Sequence, residues 1–316
     1  MDPDLFNRIL DARQAMPPMT PLDHSAGLSA WLGCEVWLKC EHLQTIGSFK
    51  IRGASNKIRL LTPEQRRAGV VTASTGNHGK AVACAGRAAG VAATVYVAKE
   101  TALGKIDAIR AYGAEVVVVD GPPIDAERTA RAAAEARGKI YISPYNDRDV
   151  MAGQGTMGLE LLEQMPDLDA VFLSVGGGGL IGGLGTAVKT LRPRTRIVGV
   201  WPKHSPAMLR SLEAGRIVEV MEKPTLSTST AGAVEEGSVS FDVCRRVIDV
   251  TVEVSETEIA DAMRAIARYD QWMVEGAAGV PLAGLIKQAE AWRGKTVAII
   301  LCGRNIALET FLEAVS

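Results

Sequence analysis

Short runs of apolar and β-branched residues alternate along this chain with longer, alanine-rich stretches. The apolar runs predict buried strands at 35–38, 69–72, 93–97, 115–119, 140–142, 170–174, 197–200 and 296–301. The longer stretches predict helices at 79–87, 103–112, 125–137, 154–164, 205–214, 256–269 and 280–291, with another that ends near 191. Continuous apolar strands, each followed by a helix, indicate parallel sheets covered on both faces, so we predict an α/β protein.

The alternation pauses at Pro144 and then starts again, which divides the chain into two α/β halves. The sequence contains no internal repeat, low-complexity tract or long linker between them. The two halves are therefore expected to pack directly, with a ligand site between them. Ser255 and Glu258 predict a capping box at the start of the helix at 256–269.

The composition is that of a soluble globular protein, since 47% of the 316 residues are apolar and 22% are charged. A formal net charge of −1 gives no electrostatic reason to bind nucleic acid or an acidic membrane. The N-terminus lacks the pattern of a signal peptide, and no stretch approaches the roughly 20 apolar residues of a membrane span. The five cysteines include no CxxC pair, which favours reduced thiols in the cytoplasm over a disulfide framework or a zinc site.

Four consecutive glycines, Gly176, Gly177, Gly178 and Gly179, lie between a predicted buried strand and a predicted helix. Glycine lets backbone N–H groups approach an anion closely, and a helix N-terminus adds a positive dipole. The segment therefore predicts a phosphate cradle. A flexible turn is the alternative, although four glycines are entropically costly for a turn.

The same segment also matches the dinucleotide-binding pattern G-x-G-x-x-G, through Gly177, Gly179 and Gly182. That pattern requires an acidic residue about 20 positions further on, at the end of the next strand. Here the next strand ends in Val200 and Trp201, without an acid. An NAD-dependent dehydrogenase is therefore left as a distant alternative.

Lys50 lies between Phe49 and Ile51, an unusual setting for a surface lysine. A desolvated lysine loses its proton more easily, becomes a nucleophile and base, and can form a Schiff base with a carbonyl group. The alternative is an ordinary lysine that extends into solvent after a strand.

A further segment, between a predicted strand and a predicted helix, consists of Ser74, Thr75, Gly76, Asn77 and His78. Its hydroxyls, amide and free N–H groups suit a small carboxylate at a helix N-terminus. Simple helix capping is the alternative, and His78 could equally be a hydrogen-bonded histidine of the core.

Two single residues are also candidates. Cys302 directly follows the last predicted strand, at the sheet edge where α/β proteins form their sites, but a buried inert cysteine is the alternative. Glu275, in the sequence Val-Glu-Gly-Ala-Ala-Gly, is open to both interpretations.

Together these segments resemble the fold-type II pyridoxal-phosphate enzymes, specifically the serine/threonine dehydratase (threonine ammonia-lyase) and serine racemase group. The resemblance covers nearly the whole chain and rests on motifs that follow the family's order. They are Thr20-Pro21-Leu22, Leu38-Lys39-Cys40-Glu41-His42-Leu43-Gln44, Gly47-Ser48-Phe49-Lys50, the segment 74–78, Ala152-Gly153-Gln154-Gly155-Thr156, the glycine run, Glu275-Gly276-Ala277-Ala278-Gly279 and Cys302-Gly303. The implied fold is tryptophan synthase β-like, with two doubly wound parallel-sheet domains: a small one at 67–139 and a large one formed by 1–66 and 140–316.

The resemblance implies pyridoxal 5′-phosphate as the cofactor. Lys50 would hold it as a Schiff base, Phe49 would pack against its ring, and Asn77 would hydrogen-bond its ring hydroxyl. Cys302 would face the pyridine nitrogen, the four glycines would bind the phosphate, and Glu275 is grouped with these cofactor-binding residues. The substrate carboxylate would be held by Ser74, Thr75, Gly76, Asn77 and His78.

The implied reaction is β-elimination of water from a small β-hydroxy amino acid such as serine, threonine or a hydroxylated relative. Lys50 would remove the Cα proton, and the products would be a 2-keto acid and ammonia. A neutral thiol at the pyridine nitrogen makes the ring a weaker electron sink, which favours elimination. An amino-acid racemase of the serine racemase type is the alternative, with Thr75 as a catalytic residue at the position where that enzyme uses a serine.

Some residues depart from the family's pattern. Trp201 replaces the glutamate of the family's divalent-cation site and Ala207 falls near its expected aspartate, so we predict no metal. The segment 231–233 and Arg304 differ around the substrate, and in this the chain resembles the hydroxyectoine-utilisation dehydratases. The resemblance also implies a homodimer.

Overall fold

The computed structural model describes all 316 residues, apart from the side chain of Ala15. The strands, in chain order, are β1 (Leu22–His24), β2 (Glu35–Lys39), β3 (Val70–Ala73), β4 (Ala93–Ala98), β5 (Glu115–Val119), β6 (Ile140–Tyr141), β7 (Ala170–Ser174), β8 (Arg196–Pro202), β9 (Val250–Val254) and β10 (Thr296–Ile300). The α-helices are α1 (Pro3–Ala12), α2 (Ala26–Leu32), α3 (Lys50–Arg59), α4 (Pro63–Ala68), α5 (Asn77–Ala89), α6 (Leu103–Arg110), α7 (Pro123–Ala136), α8 (Arg148–Gln164), α9 (Gly179–Leu191), α10 (Ala207–Ala214), α11 (Val239–Val247), α12 (Glu256–Asp270), α13 (Gly276–Lys287) and α14 (Leu308–Val315).

The strands form two sheets. The larger has six strands in the order β1-β2-β10-β7-β8-β9, and the smaller has four in the order β5-β4-β3-β6. All neighbouring strands are parallel except β1 and β2, which pair antiparallel. The predicted α/β fold with parallel sheets is therefore confirmed.

The continuous apolar runs behave as expected of strands covered on both faces. Every residue of β4 and of β7 is buried. The predicted capping box at the start of α12 is also present: the Glu258 N–H donates to Ser255 Oγ at 3.2 Å, and the Ser255 N–H donates to Glu258 Oε2 at 2.6 Å. Local sequence patterns therefore predicted both the buried strands and the start of α12 correctly.

The strand order brings two loops together. β10 and β7 are neighbours near the middle of the larger sheet, and Cys302 and the glycine run follow their carboxyl ends. From β7 the sheet continues through β8 and β9 in one direction, and from β10 it continues through β2 and β1 in the opposite direction. Ligands of parallel α/β sheets bind in the crevice that such a switch point opens.

The smaller sheet shares its apolar core with α3. Ile51, Ala54 and Ile58 of that helix pack in one cluster with Val70 of β3 and Val95 of β4. The four-stranded sheet also includes β6, which lies just beyond residue 139. The division into domains at 67–139 and at 1–66 with 140–316 stays a prediction.

None of the helices in the described part of the chain combines the length and the apolar character that crossing a membrane requires.

Candidate active site

Lys50 is the first residue of α3, and its side chain lines a cavity instead of extending into solvent. Its Nζ donates a hydrogen bond to the Pro144 carbonyl at 3.0 Å. Burial lowers the pKa of Lys50 to about 8, against the opposing effect of nearby Cys302 and Glu275. About a tenth of this amine is therefore unprotonated at pH 7, far more than for an exposed lysine, and the neutral amine is the form that acts as a nucleophile or base.

A buried ionic cluster fixes the start of α3. Arg52, two residues after Lys50, donates from Nε and Nη2 to the Glu41 carboxylate at 2.8 and 2.7 Å, and from Nη1 and Nη2 to Glu160 at 2.7 Å each. Lys39 Nζ donates to the same Glu160 carboxylate at 2.9 Å. All four side chains are buried, so the charges satisfy one another away from water. The cluster ties the helix that carries Lys50 to β2 and α8.

The cavity lies at the carboxyl ends of β7 and β10 and encloses about 730 Å³ when the space at its open mouth is included. Both sequence halves contribute to its wall. The lining residues include Phe49, Lys50, Asn77, Tyr145, Ser174, Gly176, Gly177, Gly178, Gly179, Ser229, Thr230, Ala231, Gly232, Ala233, Glu275 and Cys302.

The four glycines line one side of this cavity, and none of them has room for a side chain. A Cβ on Gly177 would lie 2.4 Å from Tyr145 Cγ, and one on Gly176 would lie 2.7 Å from the Thr230 carbonyl oxygen. Gly178 has a φ of +87°, which other residues rarely adopt. Gly179 is the first residue of α9, whose first-turn N–H groups lack intrahelical acceptors. An anion could approach this backbone closely, as the phosphate-cradle prediction requires.

Asn77, at the start of α5, is held in one orientation by its neighbours. Its Nδ2 donates to Glu275 Oε1 and Oε2 at 2.9 and 3.1 Å, and its Oδ1 accepts from Asn305 Nδ2 at 2.6 Å. Burial raises the pKa of Glu275. A Cβ on Gly303 would lie 2.6 Å from Glu275 Oε1, so this glycine is required where the carboxylate packs. The amide and the carboxylate together present polar atoms to the cavity.

Cys302 faces the same cavity from the carboxyl end of β10 and is buried. Burial raises the pKa of its thiol, and the neighbouring Glu275 raises it further, so the sulfur carries no charge at neutral pH. Ser174 Oγ lies 3.8 Å from Cys302 Sγ. Cys302 and Ser174 therefore place a neutral hydrogen-bonding pair in the cavity wall, whereas a carboxylate at the same position would add a negative charge.

The segment between β3 and α5 is less directly involved. Ser74, Thr75 and Gly76 lead into Asn77 but are not among the residues that line the cavity. His78 is buried with Nε2 3.0 Å from the Ile142 carbonyl oxygen. Burial, and after it the charge of Lys50, lowers the pKa of His78 to about 3, so this ring is neutral.

The structure thus brings together most of the predicted site. The cavity is lined by Phe49, Lys50, Asn77, Gly176, Gly177, Gly178, Gly179, Glu275 and Cys302. It does not place Ser74, Thr75, Gly76 or His78 in that lining. The roles expected of all these residues stay predictions.

Other lining residues were not predicted from the sequence. Ser174 is a polar residue at the carboxyl end of β7, the same kind of position as Cys302, and that signal could have identified it. Tyr145 and Ser229 come from loops without a motif, so only the folded chain brings them to the cavity.

Comparison with known proteins now decides the family. Residues 16–303 match the family described as "Pyridoxal-phosphate dependent enzyme". The chain belongs to this family. L-threonine ammonia-lyase from Thermotoga maritima is 40% identical over 287 residues, which are 91% of this chain and 71% of that protein. L-threo-3-hydroxyaspartate ammonia-lyase from a Pseudomonas species is 36% identical over 92% of this chain and 91% of its own.

Among solved structures, maize serine racemase matches with a TM-score of 0.90 and 32% identity, over 98% of this chain and 97% of that protein. The predicted fold-type II family, with its ammonia-lyase and racemase members, is therefore confirmed. The distant alternative of an NAD-dependent dehydrogenase is set aside, because the match extends over nearly the whole chain.

The residues of the cavity fit the family's cofactor, pyridoxal 5′-phosphate. A lysine with a lowered pKa, a glycine backbone with no space for side chains and a neutral thiol lie around one cavity. They do so at the switch point of a parallel sheet, where such ligands bind.

The family's divalent-cation site does not fit this chain. Trp201 is fully buried in the apolar core and Ala207 is buried beside it, and neither side chain offers a metal ligand. Within the described residues, no group of three His, Cys, Asp or Glu side chains could hold a metal ion. The expectation that this chain binds no such metal stays a prediction.

Proposed function

We propose that this protein is a pyridoxal-phosphate-dependent dehydratase, or ammonia-lyase, that eliminates water from a small β-hydroxy amino acid. The enamine left by the elimination would be hydrolysed by water to a 2-keto acid and ammonia. The observation that carries the proposal is the meeting of Lys50, whose pKa is lowered to about 8, with the glycine cradle and the neutral Cys302 thiol around one cavity. Relatives named L-threonine ammonia-lyase and L-threo-3-hydroxyaspartate ammonia-lyase support the reaction class.

The bound cofactor supplies an electron sink that makes the Cα proton of an amino acid acidic. Gly176, Gly177, Gly178 and Gly179 would bind its phosphate through backbone N–H groups, and Phe49 would pack against its ring. Asn77 would donate from Nδ2 to the ring hydroxyl, an orientation that the Asn305 hydrogen bond to its Oδ1 favours. Glu275 would keep Asn77 in place from the other side.

Lys50 would have two tasks. Its Nζ would hold the cofactor covalently and, once released by the substrate amine, would accept the Cα proton as the general base. A pKa of about 8 suits both tasks, because the neutral amine is the reactive form and proton transfer is most efficient near the working pH.

Cys302 would favour elimination by leaving the pyridine nitrogen uncharged. The raised pKa of the thiol keeps it neutral, so it can donate or accept a hydrogen bond but cannot stabilise a positive charge as a carboxylate does. The electron pair that remains when the Cα proton is removed would then be best accommodated by loss of the β-hydroxyl group, which takes a proton and leaves as water.

The substrate carboxylate would lie at the N-terminus of α5, near Ser74, Thr75, Gly76, Asn77 and His78. Free N–H groups and the helix dipole favour an anion at such a position. Since the His78 ring is neutral and hydrogen-bonded in the core, its contribution would come from its backbone.

The substrate would be serine, threonine or a hydroxylated relative. Residues 231–233 line the cavity, whereas Arg304 is exposed and lies outside that lining. The resemblance of these departures to the hydroxyectoine-utilisation dehydratases makes a hydroxylated diaminobutyrate a candidate. Racemisation of the serine racemase type is the second candidate function, favoured by the match to maize serine racemase. It would depend on Thr75 as the second acid and base.

The test is a substrate panel. Purified protein loaded with pyridoxal phosphate is incubated with L-serine, L-threonine, 3-hydroxyaspartate and hydroxylated diaminobutyrate. We expect keto acid and ammonia in equal amounts from at least one of them. Conversion of L-serine to D-serine without keto acid would favour the racemase, and neither product from any of them would refute the proposal.

We also propose that the protein is a cytoplasmic homodimer with no nucleic-acid or membrane partner. The near-neutral net charge of −1 supports the absence of a nucleic-acid or membrane partner, and the free cysteines support the cytoplasm. The dimer is proposed from the family resemblance. Analytical ultracentrifugation of the holoenzyme should give twice the chain mass of 33.5 kDa. A single sedimenting species of the monomer mass would contradict the dimer.

A further inference from the structure

Arg131 projects from α7, a helix that packs on the smaller sheet. Its guanidinium is fixed on that side of the molecule by two contacts. Nε and Nη2 donate to Glu127 Oε1 at 3.0 and 2.8 Å, and the guanidinium carbon lies 4.2 Å from the centre of the Tyr141 ring. A guanidinium held by a carboxylate and an aromatic face has little rotamer freedom left.

The same guanidinium reaches across to the loop that forms the opposite wall of the cavity. Arg131 Nη2 donates to Glu235 Oε1 at 2.5 Å, and Glu235 Oε2 accepts from Asn146 Nδ2 at 2.7 Å. Glu235 ends a stretch, 229–235, whose first five residues line the cavity. We call this stretch the pocket loop.

Tyr145 joins the pocket loop to the glycine cradle. Its Oη accepts from the Glu235 N–H at 3.0 Å and donates to the Ala233 carbonyl at 3.4 Å. Its ring lies against Gly177, where a Cβ would come within 2.4 Å of Tyr145 Cγ. The contacts therefore run without a break from α7 to the cavity wall.

The Arg131–Glu235 pair is only partly screened from water, with the two side chains 41% and 27% exposed. A pair of this kind contributes modestly, so its loss should shift a local equilibrium without unfolding the protein. Arg128 provides a contrast on the same helix. It pairs with Asp125 within α7 at 3.8 Å, and its side chain is 76% exposed.

We propose that Arg131 and Glu235 form a clasp between α7 and the pocket loop, and that this clasp, through the Tyr145 contacts with the loop, holds the pocket loop in place at the cavity wall. Arg131 and Glu235 are thus positioning residues that set substrate affinity. The prediction about substrate affinity rests on the proposed function. The prediction about the pocket loop does not, because the opening of the loop can be measured without turnover.

The first test is amide hydrogen exchange of the holoenzyme. In Arg131→Met, the amides of 232–237 should exchange about two- to fivefold faster than in wild type, since loop opening becomes easier by the free energy of a partly exposed ion pair. Arg128→Met removes a cation from the same helix and should leave these rates unchanged. Equal rates in wild type and Arg131→Met would overturn the proposal, whatever the enzyme's reaction.

The second test is a double-mutant cycle on the steady-state constants. Arg131→Met and Glu235→Gln should each raise KM about fivefold and leave kcat within about twofold, because fewer molecules hold the loop closed. The double variant should be no worse than either single one, whereas Glu236→Gln should match wild type. Additive effects, or loss of cofactor absorbance in Arg131→Met, would overturn the clasp. A wild-type protein without turnover would refute the proposed function alone.

Discussion

At the scale of single residues, Lys50 owes its chemistry to what surrounds it in the folded chain. Burial is the main cause of its lowered pKa, and the nearby Cys302 and Glu275 only partly oppose it. Its hydrogen bond to the Pro144 carbonyl keeps the amine facing the cavity. A lysine in this state is available for covalent attachment at a pH where an exposed lysine is almost fully protonated.

This predicts a pH dependence for cofactor attachment. The neutral amine attacks the carbonyl group, so the rate of reconstitution of the apoprotein with pyridoxal phosphate should rise with pH and level off above about 8. Stopped-flow absorbance between pH 6 and 10 measures this. A midpoint near the ordinary lysine value of about 10.4 would show that burial does not lower the pKa of Lys50.

The glycine cradle makes a second prediction at this scale. In Gly177→Ala the new Cβ would lie 2.4 Å from Tyr145 Cγ, so the cradle or the ring must move. Overpacking of this kind costs about 1–3 kcal/mol, and we expect cofactor affinity to fall by about tenfold or more. Fluorescence titration of the apoprotein measures the affinity. Gly104→Ala is the matched control, because nothing lies within 4 Å of a Cβ there and its affinity should equal wild type.

At the scale of elements, α3 is held by a buried ionic cluster as well as by its apolar residues Ile51, Ala54 and Ile58. Arg52, with two buried carboxylates around it, is the reason that a polar helix packs in the interior. Removing one partner of such a cluster leaves uncompensated buried charge.

We therefore expect Arg52→Met to lower the free energy of unfolding by about 3–5 kcal/mol. Urea denaturation of the holoenzyme followed by circular dichroism measures it. Arg67→Met is the control, since Arg67 and its partner Glu64 are 71% and 73% exposed, and its effect should stay within about 0.5 kcal/mol. A change in Arg52→Met as small as the control's would mean that the cluster does not hold α3.

The elements that could be predicted from the sequence are those with a regular apolar pattern. β4, β5 and β7 lie within a residue of their predicted positions, because each consists almost entirely of consecutive apolar and β-branched residues. α3 could not be found in this way, since its buried positions include Arg52 and Asn56, which the interior accepts only through their partners. β9 carries valines at 250, 252 and 254, an alternation that could have predicted it.

The candidate site divides in the same way. Lys50, the glycine run and Cys302 lie in short motifs, so the sequence identifies them. Tyr145, Ser229 and the clasp partners Arg131 and Glu235 are brought together from distant segments by the fold. Their spacing along the chain carries no local signal, and only the packing of α7 against the pocket loop reveals them.

At the scale of the whole molecule, two parallel sheets face one cavity from different directions. The larger sheet supplies the cradle and the thiol at the ends of β7 and β10, and the smaller sheet supplies Asn77 at the start of α5. Lys50 lies where α3 joins them, since that helix packs in the core of the smaller sheet while its start is bridged to the loop after β10.

The central claim is that Lys50 is the group that holds pyridoxal phosphate. Borohydride reduction of the holoenzyme, followed by proteolysis and mass spectrometry of the peptides, tests it most directly. We expect the reduced cofactor on the peptide that contains Lys50, and none in Lys50→Ala. Labelling of another lysine, such as Lys80 on α5, or equal labelling in Lys50→Ala would contradict it.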